Sequence, residues 1–99
     1  MTEPFTLEQF SEHVNSNFEM HYGQSQIAAL KLLSVTDLNS TPRQVQFSLE
    51  FLAPLDAPIQ QGLFRLNHEK LGELELFLVP VARDKEGLHY EAVFNRFVE

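Results

Sequence analysis

The chain has no cysteine and no tryptophan, only four glycines, and half as many basic as acidic side chains. Without cysteine there are no disulfides, no thiolate metal sites and no cysteine nucleophile, although the compartment stays open on that ground alone. Fourteen Asp and Glu against seven Lys and Arg give a net charge of −7. Residues 1–50 carry six acids and two bases, and 51–99 carry eight and five, so the excess is spread and not gathered in a tail. Such a surface repels phosphate backbones and anionic lipid heads, which argues against nucleic acid or membrane as the partner. No apolar run approaches the ~20 residues of a spanning helix. The longest, Leu76 to Ala82, is interrupted by Pro80. The start, Met1-Thr2-Glu3-Pro4, lacks the basic and apolar regions of a secretion signal, and a soluble, cytoplasmic protein is expected.

What is present is phenylalanine, nine times, and a two-residue apolar period. Ninety-nine residues suffice for one domain, 1–99, with a single small core. Near the start, Thr6 and Gln9 have the spacing of a capping box, and Phe5 and Phe10 that of a hydrophobic staple. Leu7, Phe10 and Val14 then form one apolar stripe, while Glu8 suits the positive end of the helix dipole. The pattern predicts a short amphipathic helix from about Leu7 to Val14.

Beyond Asn15 the period changes from that of a helix to that of a strand. Phe18, Met20 and Tyr22 alternate with Glu19 and His21, and Gly23-Gln24-Ser25-Gln26 closes the segment as a turn. From Ile27 to Leu38 periodicity alone also permits a helix over Ile27 to Leu33, but Val35-Thr36 and the loop Asn39-Ser40-Thr41-Pro42 favour a strand. Strict alternation there places Leu30, Leu32, Ser34 and Thr36 on one face. Phe47, Leu49 and Phe51 share a face opposite Gln46, Ser48 and Glu50. Pro54 and Pro58 prevent a sheet from continuing, so 53–58 is a connection. Further strands are predicted over Leu63 to Asn67, Glu73 to Val81 and Leu88 to Val98. The second of these is apolar on both faces, with Leu74, Leu76 and Leu78 opposite Phe77 and Val79. Asp84-Lys85-Glu86-Gly87 is a type I turn by composition. Six strands within 17–98, joined by short connections and no crossover helices, predict an antiparallel sheet. Closing it into a small barrel removes exposed edges and leaves the helix as a lid on one open end; a curled two-layer sheet or sandwich is the competing arrangement.

Candidate chemistry is sparse. Histidines stand at 13, 21, 68 and 89. Glu19 with His21, and His89 with Glu91, each project to one face of a strand, and if the first and last strands pair, the four would offer a divalent metal two imidazoles and two carboxylates. The plainer reading is the solvated side of a sheet, and no spacing of the H-E-x-x-H kind is present. His68 reads as a turn residue bonding the backbone. Glu73, Glu75 and Glu91 have the residue type of a glycosidase pair, yet alternating glutamates are ordinarily a wet strand face. No G-x-S-x-G elbow and no glycine-rich phosphate loop occurs, so no enzymatic activity and no cofactor are expected. More informative are Phe77 and Val79, which point away from a barrel interior. A neighbouring strand bearing Val93 and Phe97 would extend that apolar surface toward a protein partner or a second copy, unless the helix or the Pro54 to Gln61 loop covers it.

Taken together, Phe47-x-Leu49-x-Phe51, Pro54, Gln61-Gly62-x-Phe64-x-Leu66-x-His68-x-x-Leu71-Gly72, Leu76-Phe77-Leu78-Val79-Pro80 and Tyr90-Glu91-Ala92-Val93-Phe94-Asn95 resemble a family of small bacterial proteins of about a hundred residues classed as a domain of unknown function. The resemblance covers roughly residues 45–97 and brings no catalytic residues with it. It implies a compact β-domain and, because some members lie near genes for phage-tail-like proteins, a place in a tail-like assembly. The resulting expectation is a non-enzymatic interaction or assembly module. The alternative is a small-molecule- or metal-binding barrel, or an enzyme built on one, using Glu19, His21, His89 and Glu91.

Overall fold

The computed structural model describes residues 6–38 and 41–97, with Arg96 and Phe97 described by their backbone alone. Thr6 caps a helix, α1 (Leu7–Ser11), and its capping box is complete: the Thr6 hydroxyl accepts from the Gln9 amide at 3.1 Å, and Gln9 Oε1 accepts from the Thr6 amide at 2.9 Å. The sequence pattern predicts a helix to Val14, but the helix ends at Ser11 and the chain tightens into hydrogen-bonded turns, His13 N–H to the Phe10 carbonyl and Ser16 N–H to that of His13. Asn15 follows with φ of 76°, a left-handed conformation that a helix cannot absorb and that Asn tolerates better than most residues. Leu7, Phe10 and Val14 nevertheless all pack on the core, so the apolar stripe outlasts the helix. Phe5, the other half of the predicted staple, lies outside the described residues, as do Asn39, Ser40 and Val98.

Six strands follow: β1 (Asn17–Tyr22), β2 (Gln26–Asp37), β3 (Gln44–Ala53), β4 (Gly62–His68), β5 (Gly72–Asp84) and β6 (Gly87–Phe97). All pairings are antiparallel, and the order β1-β2-β3-β6-β5-β4 closes on itself as a barrel. The period-two residues fill it. Phe18, Met20, Leu30, Leu32, Phe47, Leu49, Phe51, Leu66, Leu74, Leu76, Leu78, Leu88, Tyr90 and Ala92 are buried together.

The alternation fails in two places, each at a bulge. In β2 the register shifts between Leu32 and Ser34, so Leu33 is an extra residue. Beyond it Val35, opposite Leu49, packs on the core, where strict alternation put Ser34 and Thr36. In β5 the shift falls between Pro80 and Ala82. A bulge suits a residue without an N–H beside it, and it sharpens the local twist that a small barrel needs.

The two ends of the barrel are covered by different segments. At the end where β1, β3 and β5 begin, Phe10 is fully buried, its ring 5.4 Å from that of Phe94 and 6.0 Å from that of Phe47. Phe47 and Phe94, paired across β3 and β6, stack at 4.6 Å with 6° between their planes. At the far end the connection 54–61 turns back so that Ala57 is buried, and the Tyr90 hydroxyl donates to the Pro58 carbonyl. Burial there, with the Tyr22 phenol a second cause, pushes the Tyr90 hydroxyl up to about 12.

The topology repeats. β1, β2 and β3 form one meander, β4, β5 and β6 a second, and they meet along β1·β4 and β3·β6. Met20 pairs with Ala28 in the first hairpin, Leu66 with Leu74 in the second, and Met20 pairs with Leu66 across the seam. Each meander carries a bulge in its long middle strand. The aromatic pairs repeat too: Phe18 meets Phe51 at 5.4 Å, Phe64 meets Tyr90 at 6.3 Å, and Phe51 and Tyr90 are themselves partners in β3·β6.

Candidate functional site

Outward-facing residues of β4 and β5 form an exposed apolar surface. Leu63 and Phe77 are paired in register, point away from the core, and are 64% and 52% exposed. Further along β5, Val79 is half-buried and Val81 exposed. The β5·β6 pairing runs only from Val79↔Glu91 toward the turn, and beyond it the two strands take different neighbours: β5 pairs with β4, β6 with β3. Phe77 and Val93 stand two residues past that last pair, one on each arm of the fork, and Val93 is 60% exposed. Phe77 and Val93 both stay more than half exposed, so neither α1 nor the 54–61 connection buries them. Phe97, the fourth residue predicted for this surface, ends β6, and its side chain lies outside the described residues.

The predicted metal candidates do not meet. Glu19 and His21 are on β1, which pairs with β2 and β4, whereas His89 and Glu91 are on β6, which pairs with β3 and β5. Two strands separate the pairs whichever way round the barrel one goes. Among the described residues no group of three or more His, Asp or Glu side chains is placed to hold a metal ion. His89 is otherwise engaged: its Nδ1 lies 2.9 Å from Glu50 Oε2 and its Nε2 3.0 Å from Asp84 Oδ2. An imidazolium can donate from both nitrogens to the two carboxylates, whereas a neutral ring can donate to only one of them. Burial disfavours that charge, but the bonds to Glu50 and Asp84 outweigh it and raise the pKa above the ordinary value. Asp84 is held below the usual carboxylate range, first by the Glu86 amide it accepts from and then by His89 and the Gly87 amide. Both nitrogens of the ring are thus engaged by carboxylates of its own chain.

His21 lines a shallow cleft of about 280 Å³ at the β1–β2 turn, with Tyr22, Gln26, Leu63, Arg65 and Glu75 around it. Its one guanidinium, Arg65, is 3.6 Å from Glu73 and is well exposed, as is that carboxylate, an arrangement worth little in solvent. Glu73 and Glu75 therefore form a wet strand face beside Arg65, and Glu91 lies on another strand opposite Glu50.

Among the described residues His68 is the buried polar side chain of the core, 4% exposed. Its Nδ1 accepts from the Lys70 amide at 2.9 Å and the Leu71 amide at 3.1 Å, which is the turn role expected of it. With Nδ1 accepting, Nε2 carries the proton and donates to Ser16 Oγ at 2.9 Å, and the Ser16 hydroxyl passes its own to the His13 carbonyl. Sequence reasoning did not reach the Glu50–His89–Asp84 chain or the Ser16 contact. Asp84 and His89 flank a recognisable hairpin, but the partners on β3 and beside α1 depend on long-range register.

A family model described as a domain of unknown function, DUF6916, matches residues 5–94. No curated protein and no solved structure matches the chain.

Proposed function

We propose that this chain, which belongs to the DUF6916 family of domains of unknown function, is a non-enzymatic interaction module that offers the outer face of β4 and β5, with Val93 on the adjoining arm, to a protein partner or a second copy. The observation that carries the reading is the cross-strand pair Leu63 and Phe77, both more than half exposed and both pointing away from the buried core. Paired bulky side chains on a rigid strand surface are the kind of anchor that protein contacts use, and a lone exposed leucine is not. Val81 on the same strand and Val93 on β6 are exposed as well, and the glutamates of β5 give the pair a polar border. The resemblance of residues 45–97 to proteins encoded near phage-tail-like genes favours a partner within a tail-like particle.

Sedimentation velocity on the purified chain and on a Leu63→Glu, Phe77→Glu variant tests it, alongside a photo-crosslinking residue at position 77 with the exposed Glu8 position as control. The expected result is concentration-dependent association, or a discrete crosslinked partner trapped from position 77 alone, lost in the variant while its far-ultraviolet dichroism is unchanged. A chain that stays monomeric and crosslinks no differently from the two positions overturns the reading.

A further inference from the structure

His68 ties three parts of the molecule together. Through Nδ1 it organises the β4–β5 turn at Lys70 and Leu71; through Nε2 it holds Ser16, in the segment linking α1 to β1; and its ring lies between those of His13, at 4.6 Å, and Phe18, at 4.4 Å. Each role requires a neutral ring with the proton on Nε2. A proton added to Nδ1 would point at two amide N–H groups, turning two hydrogen bonds into two repulsions beside a ring that is 4% exposed.

We infer that His68 is an acid-release latch: its protonation frees residues 6–16 from the barrel end they cover, while the six-stranded ring stays closed. The groups around it favour this. Burial lowers its affinity for a proton, and His13 lowers it further; Glu69 on the turn acts in the opposite sense and Lys70 in the same sense as His13. Phe18 of β1 and Ser16 bring no charge. Because the folded ring binds its proton less readily than the ordinary histidine value of 6.5, the latch is fully closed above that value and weakens as pH falls below it toward the folded pKa. The other end of the barrel responds in the opposite way, since His89 between Glu50 and Asp84 is held best when protonated. Acid therefore loosens the helix-covered end alone. What must give way there is specific: the Asn15 amide bond to the Leu32 carbonyl at 2.7 Å, the Leu32 amide bond to the Ser16 carbonyl at 3.0 Å, and the burial of Phe10 among Phe47 and Phe94.

Amide hydrogen exchange on the full chain, expressed as protection factors from about pH 8 to about pH 5, reads each of these bonds. Protection at Asn15, Leu32, Lys70 and Leu71 should fall about tenfold per pH unit below the ordinary histidine value, with Leu49 and Phe51 unchanged. His68→Gln should abolish the pH dependence and His13→Gln should keep it. Should His68→Gln fail to fold, Ser16→Ala serves instead: it leaves the turn intact, so Lys70 and Leu71 keep their dependence while Asn15 and Leu32 lose theirs. Flat protection at Asn15 and Leu32 in the unaltered chain, or a dependence that survives His68→Gln or vanishes with His13→Gln, overturns the latch.

Discussion

An alanine at position 87 would place its Cβ 2.1 Å from the Ala53 carbonyl oxygen, at a residue whose φ is +154°. Gly72 has φ of +81° but nothing within 4 Å of the same atom. The first site combines strain with a backbone collision and the second has strain alone, so Gly87→Ala should cost ~2 kcal/mol or more and Gly72→Ala about 1 kcal/mol. Urea unfolding of the two variants compares them directly. His89 gives a residue-level prediction in pH. Its folded pKa is raised, so its contribution is complete below the ordinary value of 6.5 and is lost as pH rises through the folded pKa. The stability gap between the unaltered chain and His89→Gln should therefore narrow from slightly acid to alkaline pH, which denaturation midpoints at several pH values will show. Sequence alone made His68 legible as a turn residue, because a histidine before Glu69-Lys70-Leu71-Gly72 sits where a side-chain acceptor can reach the turn amides. It did not make Glu50 legible as the partner of His89, because no local pattern sets the register of two strands that are distant along the chain.

The elements were legible where one face is wet and one is dry, and that condition held for β1 and β3 nearly end to end. It failed where a residue was inserted into the ladder. Val35 faces inward because Leu33 is extra, and nothing in the order Leu32-Leu33-Ser34-Val35-Thr36 distinguishes a bulge from an unbroken strand. The inversion can be tested: Val35→Asp should destabilise by ~2 kcal/mol or more and Thr36→Asp by about 0.5 kcal/mol or less, the reverse of what unbroken alternation implies. α1 was recognisable from its cap, and Thr6→Ala should cost about 1 kcal/mol by removing one half of the capping box. Its length was overread because Val14 keeps the apolar spacing after the backbone has left the helix. The apolar surface at Phe77 was legible for the opposite reason: a strand hydrophobic on both faces has one face too many for a single core.

At the level of the whole molecule, barrel closure followed from strand count and short connections, whereas the order in which the strands close the ring did not. The order decides the chemistry, since it carries Glu19 and His21 away from His89 and Glu91. It also produces a repeat that the letters conceal. Tyr22 stands where the second meander has His68, and Ala28 where it has Leu74, so residue identity has little self-similarity although the hairpin registers superimpose.

That repeat makes the chain resemble a dimer whose protomers happen to be joined end to end. Each three-stranded half alone would leave two flanks of unpaired backbone and an uncovered oily face, and only the other half supplies both. Cutting the tether within 54–61 should accordingly yield two fragments that are unstructured apart and recover the native dichroism on mixing, a split reporter that the fold contains without design.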